Sequence, residues 1–126
     1  MNLLTRLESA TGPNRELDAR IYVAAYGGTI SAKHEHAYDN DWFEWTDAGG
    51  NEVDCAVFPH YTASIDALLE VVAEKLPETY WCVGWDWEVV GPFAYVGSRT
   101  DPDNQSIYGR TAVLSLAIAI VKALEQ

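Results

Sequence analysis

The amino-acid sequence predicts an α+β domain in which an antiparallel sheet of about four strands packs against helices. Three observations support this fold class. Four segments carry apolar residues with helical periodicity, two pairs of segments have strand patterns, and turn-forming residues separate the members of each pair. The order is helix, helix, strand, strand, helix, strand, strand, helix. The length of 126 residues suits a single domain spanning residues 1–126.

Each of the last three predicted helices begins beside a residue that can cap its first turn. Asn14 precedes the second helix, Thr62 or Ser64 the third, and Thr111 the fourth. The fourth helix is apolar on more than one side, so we expect other elements to cover it on more than one side. The core positions expected from the last two helices are Ile65, Leu68, Val72, Leu114, Ile118 and Val121.

The predicted strands form two antiparallel pairs. Residues 42–46 and 53–58 flank a turn at 47–51, and residues 80–90 and 93–97 flank Gly91-Pro92. Residues 29–40 show no clear period and are predicted to be a loop. Alternation along 80–90 puts Trp81, Trp85 and Trp87 on one face, which we expect to lie in the core.

The composition argues against several classes of function. Nineteen acidic residues against eight basic ones give a net charge of −11, which disfavours binding to nucleic acid or to an anionic membrane. No signal peptide is visible at the start, so we expect a cytoplasmic location. Cys55 and Cys82 lack the spacing of a metal pair and are expected to be reduced thiols.

The negative charge is concentrated in the segment from Glu35 to Asp54, which contains seven acids and no Lys or Arg. Trp42, Phe43 and Trp45 lie within it, and aromatic side chains beside acids are typical of binding hot spots. Such a segment is either a solvated face that keeps the protein soluble or a surface that docks a basic partner.

Motifs that would indicate catalysis are weak in this sequence. His34 and His36, with His60 or an Asp, could contribute metal ligands, but two solvated loop histidines are the simpler interpretation. Asp86 and Glu88 share a strand face, where acids are usually solvated. No nucleophile elbow, P-loop or dinucleotide fingerprint occurs. We therefore predict no enzymatic activity, no metal and no cofactor.

Four stretches in a fixed order span nearly the whole chain: LTRLESATGPNRELD at 4–18, YTASIDA at 61–67, GPFA at 91–94, and the closing stretch 111–123. In these stretches the chain resembles the phage ABA sandwich domain family. The resemblance implies an α/β/α sandwich and an origin in a phage or prophage, and it implies no reaction. Ala112 departs from the proline that family members tend to have there. Residues 28–54 lie outside the resemblance.

Two hypotheses of function follow. In the first, the protein is a phage-encoded accessory or anti-defence inhibitor that docks a basic site of a host protein and mimics nucleic-acid phosphates. Its contact residues would be Asp39, Asp41, Trp42, Phe43, Glu44, Trp45, Asp47, Glu52 and Asp54. In the alternative, the protein binds or sequesters a small nucleotide signal, since arginines can hold phosphate. The arginines proposed for that role are Arg15, Arg20, Arg99 and Arg110.

Overall fold

The computed structural model describes residues 2–34, 42–97 and 106–125, except for the side chains of Asp54 and Cys55. In chain order the elements in these ranges are α1 (Leu3–Ser9), α2 (Arg15–Tyr26), β1 (Thr29–His34), β2 (Trp42–Thr46), β3 (Glu52–Ala56), α3 (Ile65–Lys75), β4 (Tyr80–Asp86), β5 (Gly91–Gly97) and α4 (Ala112–Leu124). The α+β class predicted from the sequence is confirmed.

A polar side chain caps the first turn of every described helix. Asn14 accepts a hydrogen bond from the backbone N–H of Leu17, and Thr111 accepts one from Leu114, as the sequence predicts. Ser64 rather than Thr62 caps α3, and Asn2 caps α1. These caps satisfy backbone donors that the helices themselves cannot satisfy, and they place the helix starts where sequence analysis expects them.

Helix α4 is the centre of the larger hydrophobic core. All residues from Leu114 to Val121 are buried, because α1, α2, α3 and both strands of the β4–β5 pair contact this helix. Leu68 and Val72 of α3 are buried in the same core, and Ile65 packs against it partly buried. The expected coverage of α4 on more than one side is thus confirmed.

A second, smaller core lies between α2 and a three-stranded sheet. Strands β1, β2 and β3 pair antiparallel in that order, and we call them the amino-terminal sheet. Phe43 and Ala56 of this sheet pack with Ala19 of α2 and with Phe58. Helix α2 therefore has two apolar sides, since Leu17 and Ile21 belong to the larger core around α4.

Strands β4 and β5 form a separate antiparallel pair, which we call the hairpin. Ala94 and Val96 of β5 are buried against α4, and the register places Trp81 opposite Val96 and Trp85 opposite Pro92. The backbone N–H and C=O of Ala94 both bond to Ile107, which occupies the outer side of β5. In the described part of the chain, β4 is consequently the edge strand of the hairpin.

The strands differ from the sequence prediction in three respects. Five strands in two sheets replace one sheet of about four, and β1 lies where a loop was expected. Strand β4 ends at Asp86, so residues 87–90 form a turn rather than the end of a long strand. Helix α2 packs on the amino-terminal sheet, α4 packs on the hairpin, and the two helices contact each other, so both lie between the two sheets.

Candidate functional site

The large apolar side chains that are exposed in the described residues are concentrated on and beside the hairpin. They are Tyr80, Trp81, Trp85, Trp87, Val89, Val90 and Tyr108, with Val53 and Val57 elsewhere. The core position expected for the three tryptophans is wrong: they are 42% (Trp81), 48% (Trp85) and 81% (Trp87) exposed. Trp81 and Trp85 lie on the core-facing side of β4, but its edge position leaves them half uncovered. Trp87 lies beyond the strand.

The turn at the end of the hairpin is held by the carboxylate of Asp86. One oxygen, Oδ1, accepts hydrogen bonds from the backbone N–H of Glu88 at 2.9 Å and of Val89 at 3.4 Å. The other, Oδ2, accepts one from the hydroxyl of Tyr108 at 2.8 Å. The Tyr108 bond, followed by the backbone bonds, lowers the pKa of Asp86 below its usual value. Asp86 thus joins the backbone of the turn to the side chain of Tyr108.

The backbone of Val90 is in the left-handed region, with φ at 58°. A β-branched residue is a genuine outlier there, because its branched side chain crowds the backbone, and glycine or asparagine is the usual choice. Val90 is nevertheless 68% exposed, so burial of its side chain does not offset this strain. Strained residues of this kind cluster at functional sites, which marks residues 86–90 as a candidate contact surface. We call these five residues the tip surface.

The tip surface combines apolar and acidic side chains. Trp87 contacts Trp85 edge-to-face, with ring centroids 5.8 Å apart, and Val89 and Val90 are exposed beside it. Asp86 and Glu88 add two carboxylates within the same five residues. The candidate contact residues that were not predicted from the sequence are Trp87, Val89 and Val90. Asp86 followed by Gly91 was the available signal of a turn, since aspartate and glycine commonly flank turns.

Phe43, predicted as an exposed anchor, is a core residue. Its side chain has 0% exposure and contacts Phe58, with ring centroids 5.6 Å apart. Trp45 is partly buried and meets the rings of Tyr22 and Phe58 edge-on. Helix α2 covers this face of the amino-terminal sheet, so the residues cannot act as the predicted contact surface without unpacking the smaller core.

The backbone at Gly28 lies very close to Trp45 and Thr46 of strand β2. Gly28 has φ at 100°, and a side chain there would collide with the indole nitrogen of Trp45 and with the carbonyl oxygen of Thr46. Glycine is therefore required at this position by both conformation and space.

Glu44 and Glu52, two of the predicted contact residues, lie on the outer face of the amino-terminal sheet, which α2 does not cover. Trp42 stacks on His34, with ring centroids 3.9 Å apart, and Glu44 lies 3.5 Å from His34 Nε2. Glu52 is exposed. A shallow groove of about 200 Å³ is lined by Ser31, Glu44, Trp45, Thr46, Glu52 and Val53. Its two carboxylates would repel a phosphate, so the groove does not suit an anionic nucleotide.

Asp47 has a structural task in the turn between β2 and β3. Its Oδ1 accepts hydrogen bonds from the backbone N–H of Gly49 at 2.9 Å and of Asn51 at 2.8 Å. These bonds, with those from Asn51 foremost, lower the pKa of Asp47. Of the other predicted contact residues, Asp39 and Asp41 lie outside the described residues, as does the side chain of Asp54.

Arg15, predicted as a possible ligand-binding residue, is instead part of a buried network. Its guanidinium donates to Asp18 Oδ2 at 2.6 Å and to the carbonyl oxygen of Phe58 at 2.6 Å. Asp18 is buried, and its Oδ1 accepts from both the backbone N–H and the hydroxyl of Thr62, each at 2.7 Å. The network joins the 4–18 and 61–67 stretches. Because both terminal nitrogens of its guanidinium donate hydrogen bonds within this network, Arg15 has a structural role here.

The other candidate arginines do not form a described phosphate site. Arg20 lies 3.9 Å from Glu16 on the same helix, and Arg110 is exposed just before α4. Arg99 lies outside the described residues, as do Glu35 and His36. Among residues whose positions are described, no group of three His, Cys, Asp or Glu is placed to hold a metal, and the thiol of Cys82 is free.

No family model, curated protein or solved structure matches this chain. None of the described helices has the length and apolar character needed to cross a membrane.

Proposed function

We propose that this protein is a small acidic binding module that docks a basic surface of another protein through its tip surface. The observation that carries the proposal is the exposure of Trp87, Val89 and Val90 on a turn held by Asp86. Exposed apolar groups that are contiguous and rimmed by charge mark interaction sites in soluble proteins.

The chemistry of the tip surface favours a basic partner. Trp87 can accept the face-on approach of an arginine or lysine side chain, and the carboxylates of Asp86 and Glu88 can pair with further cations. The net charge of −11 extends this preference over long range and speeds association with a positively charged protein. In this proposal the tip surface takes the contact role that was predicted for Trp42, Phe43 and Trp45.

From the resemblance of the sequence to the phage ABA sandwich domain family, we further propose a partner in the cytoplasm of a bacterial host. A nucleic-acid-binding protein of a defence system would present a basic site that acidic groups can occupy in place of phosphates. We propose no catalysis, because Asp86, one of the two carboxylates considered for it, is engaged in holding the turn.

The test is affinity capture from a bacterial lysate followed by titration of the purified captured protein. Replacing Trp87→Ala and Val89→Ser together should speed dissociation by about tenfold or more, as the loss of a hot spot does. Val57→Ser is the matched control, since Val57 is exposed but distant in sequence from the tip surface. Raised salt should weaken binding of the wild type.

A third variant separates the tip surface from the acidic segment. Glu44→Gln with Glu52→Gln removes two exposed or partly exposed charges of the amino-terminal sheet. We expect this variant to bind nearly as tightly as the wild type. If it alone loses affinity, the outer face of the amino-terminal sheet is the contact surface and our proposal is wrong.

A further inference from the structure

The open side of strand β4 is defined by the hydrogen bonds of its neighbour. The backbone N–H and C=O of Ala94 both form hydrogen bonds with Ile107. Ala94 therefore makes no backbone hydrogen bond to Val83, the residue opposite it on β4. In an antiparallel pair, the residues of such a non-hydrogen-bonded pair direct their N–H and C=O away from each other. Val83 therefore directs both groups to the open side of β4, and by alternation Trp81 and Trp85 do the same.

Three features that commonly protect an edge strand from pairing do not occur in β4. Its seven residues, YWCVGWD, contain no lysine and no proline, and its register with β5 runs without a bulge. Natural proteins use such features to prevent pairing with another chain. Among the residues that the structure describes, no strand pairs with the open side of β4.

The sequence of β4 is nearly symmetric about Val83. Trp81 and Trp85 lie two residues to either side on the core-facing side, and the small residues Cys82 and Gly84 flank Val83 on the other. A dimer with twofold symmetry requires a surface that is complementary to itself. Two antiparallel β4 strands centred on Val83 meet this requirement, because each Trp81 then lies opposite Trp85 of the second copy.

We propose that two copies of this chain associate through their β4 edges, centred on Val83, into one continuous antiparallel four-stranded sheet. In this register the residues that pair by hydrogen bonds are those whose backbone groups face the open edge: Val83 with Val83, and Trp81 with Trp85 of the second copy. The half-exposed indoles become covered by one another.

Charge and edge geometry are compatible with a closed dimer. Asp86, the acid within β4, lies opposite Tyr80 of the second copy, so no two carboxylates of the strand face each other. Ile107 occupies the outer side of β5 at Ala94, which leaves the β4 edge for association and stops growth at two copies. The rest of each tip surface, from Trp87 to Val90, lies beyond the paired residues, at opposite ends of the joined sheet.

The experiment measures the mass of the purified full chain by sedimentation equilibrium over a concentration series. We expect twice the monomer mass of 14.0 kDa at high concentration. Raising the salt concentration should strengthen this association, because both copies carry a charge of −11 and salt screens their repulsion. Salt should have the opposite effect on binding to a basic partner, so the failure of one proposal is distinguishable from the failure of the other.

Two variants test the register. Val83→Pro removes the N–H that would pair across the dimer, so it should weaken the dimer. It removes no hydrogen bond between β4 and β5, because the N–H of an edge-strand residue such as Val83 faces away from β5. Trp81→Lys places a charge on the edge and should weaken the dimer by about tenfold or more. Val57→Ser, at an exposed apolar residue outside the hairpin, is the matched control and should leave the dimer unchanged. Circular dichroism and thermal melting identify any variant that fails to fold.

Hydrogen exchange supplies a readout that does not depend on variants. The amides of Trp81, Val83 and Trp85 should become protected as the concentration rises, whereas those of Cys82 and Gly84 are already protected within the hairpin. A protein that stays monomeric, or a dimer in which these amides remain unprotected, would overturn the proposal. A dimer that both Val83→Pro and Trp81→Lys leave intact while folded would also do so, because another surface would then hold it.

Discussion

The amino-terminal sheet and the hairpin contain similar residue types, but their aromatic side chains differ in exposure to solvent. Each is antiparallel and carries tryptophans beside acidic residues. In the amino-terminal sheet, α2 covers one face, and Phe43 and Trp45 pack there against Phe58. In the hairpin, α4 covers the side that β5 presents, while the edge strand β4 and the turn leave Trp81, Trp85 and Trp87 exposed.

This difference shows that aromatic and acidic residues adjacent in sequence do not by themselves identify a contact surface. What decides exposure is whether a helix covers the strand and whether the strand has neighbours on both sides. Strand β2 lies between β1 and β3 beneath α2, so Phe43 and Trp45 on its covered face pack in a core. Strand β4 has β5 on one side, so its aromatics stay at the surface.

The largest expected change in stability is at Phe43, in the core of the amino-terminal sheet. Phe43→Ala should lower the free energy of unfolding by about 3–5 kcal/mol, because it removes a fully buried aromatic ring and leaves a cavity. Trp87→Ala, at an exposed position, should change it by less than about 0.5 kcal/mol. Urea denaturation of both variants measures the two values. Equal losses would mean that the amino-terminal sheet and the hairpin do not differ as described.

A comparable loss is expected at the network that anchors α2. Arg15→Ala leaves the buried carboxylate of Asp18 without its cationic partner and frees the carbonyl oxygen of Phe58, so we expect a loss of about 3–5 kcal/mol. Arg20→Ala is the matched control on the same helix. Arg20 is exposed and its contact with Glu16 is long, at 3.9 Å, so its loss should stay below about 1 kcal/mol. Similar denaturation midpoints for the two variants would contradict the structural role of Arg15.

A smaller effect of opposite sign is expected at the tip surface. Val90→Gly removes the strain of a β-branched residue at φ 58° and should raise stability by about 1 kcal/mol, less the entropy cost of glycine in the unfolded chain. The same change removes an exposed contact, so binding to the captured partner should weaken. Thermal unfolding and titration of this variant measure both effects. A variant that is less stable and binds equally well would show that Val90 serves folding instead.

The smallest effect concerns the protonation of Asp86. Its pKa in the folded state is lowered, chiefly by the bond from Tyr108, so its contribution to the turn is complete above the ordinary aspartate pKa. That contribution is lost as the pH falls through the lower, folded-state value. Nuclear magnetic resonance titration of the Glu88 and Val89 amides should show an inflection below the usual aspartate range.

Tyr108→Phe provides the control for this titration. The variant lacks the hydroxyl that donates to Asp86, so the inflection should move upward toward the ordinary value. The titration of Asp47 should not move, because the backbone and side chain of Asn51 are what chiefly lower its pKa. An unchanged inflection at Glu88 and Val89 would show that Tyr108 does not hold the turn.

The sequence predicted the helices more accurately than the strands and the contact surface. Asn14 and Thr111 cap the predicted helices, and the buried stripe of α4 is where periodicity placed it. These features depend on residues three or four positions apart, which the sequence displays directly. Strand β1 was not predicted although its exposure alternates from Thr29 to His34, because Ile30 is the one large apolar residue among its six and the apolar pattern is therefore faint.

The candidate site could not be derived in the same way. The sequence displays the acidic segment and the acids Asp86 and Glu88, but its pattern predicts Phe43 as a contact residue and Trp87 as a core residue. Period-two alternation assigns a residue to one side of a strand. It carries no information on whether that side is covered at the strand's edge or whether the strand has already ended.

The α+β class, the helix starts and the apolar stripes are predictable from the sequence, because these follow from local hydrogen bonding and from the spacing of apolar residues. That α2 covers Phe43 and Trp45, and that Arg15 turns inward to the buried carboxylate of Asp18, is evident from the folded structure alone. The folded structure also shows that β4 is an edge strand whose tryptophans remain exposed. These outcomes depend on which elements meet in space, and residues distant along the chain set those contacts.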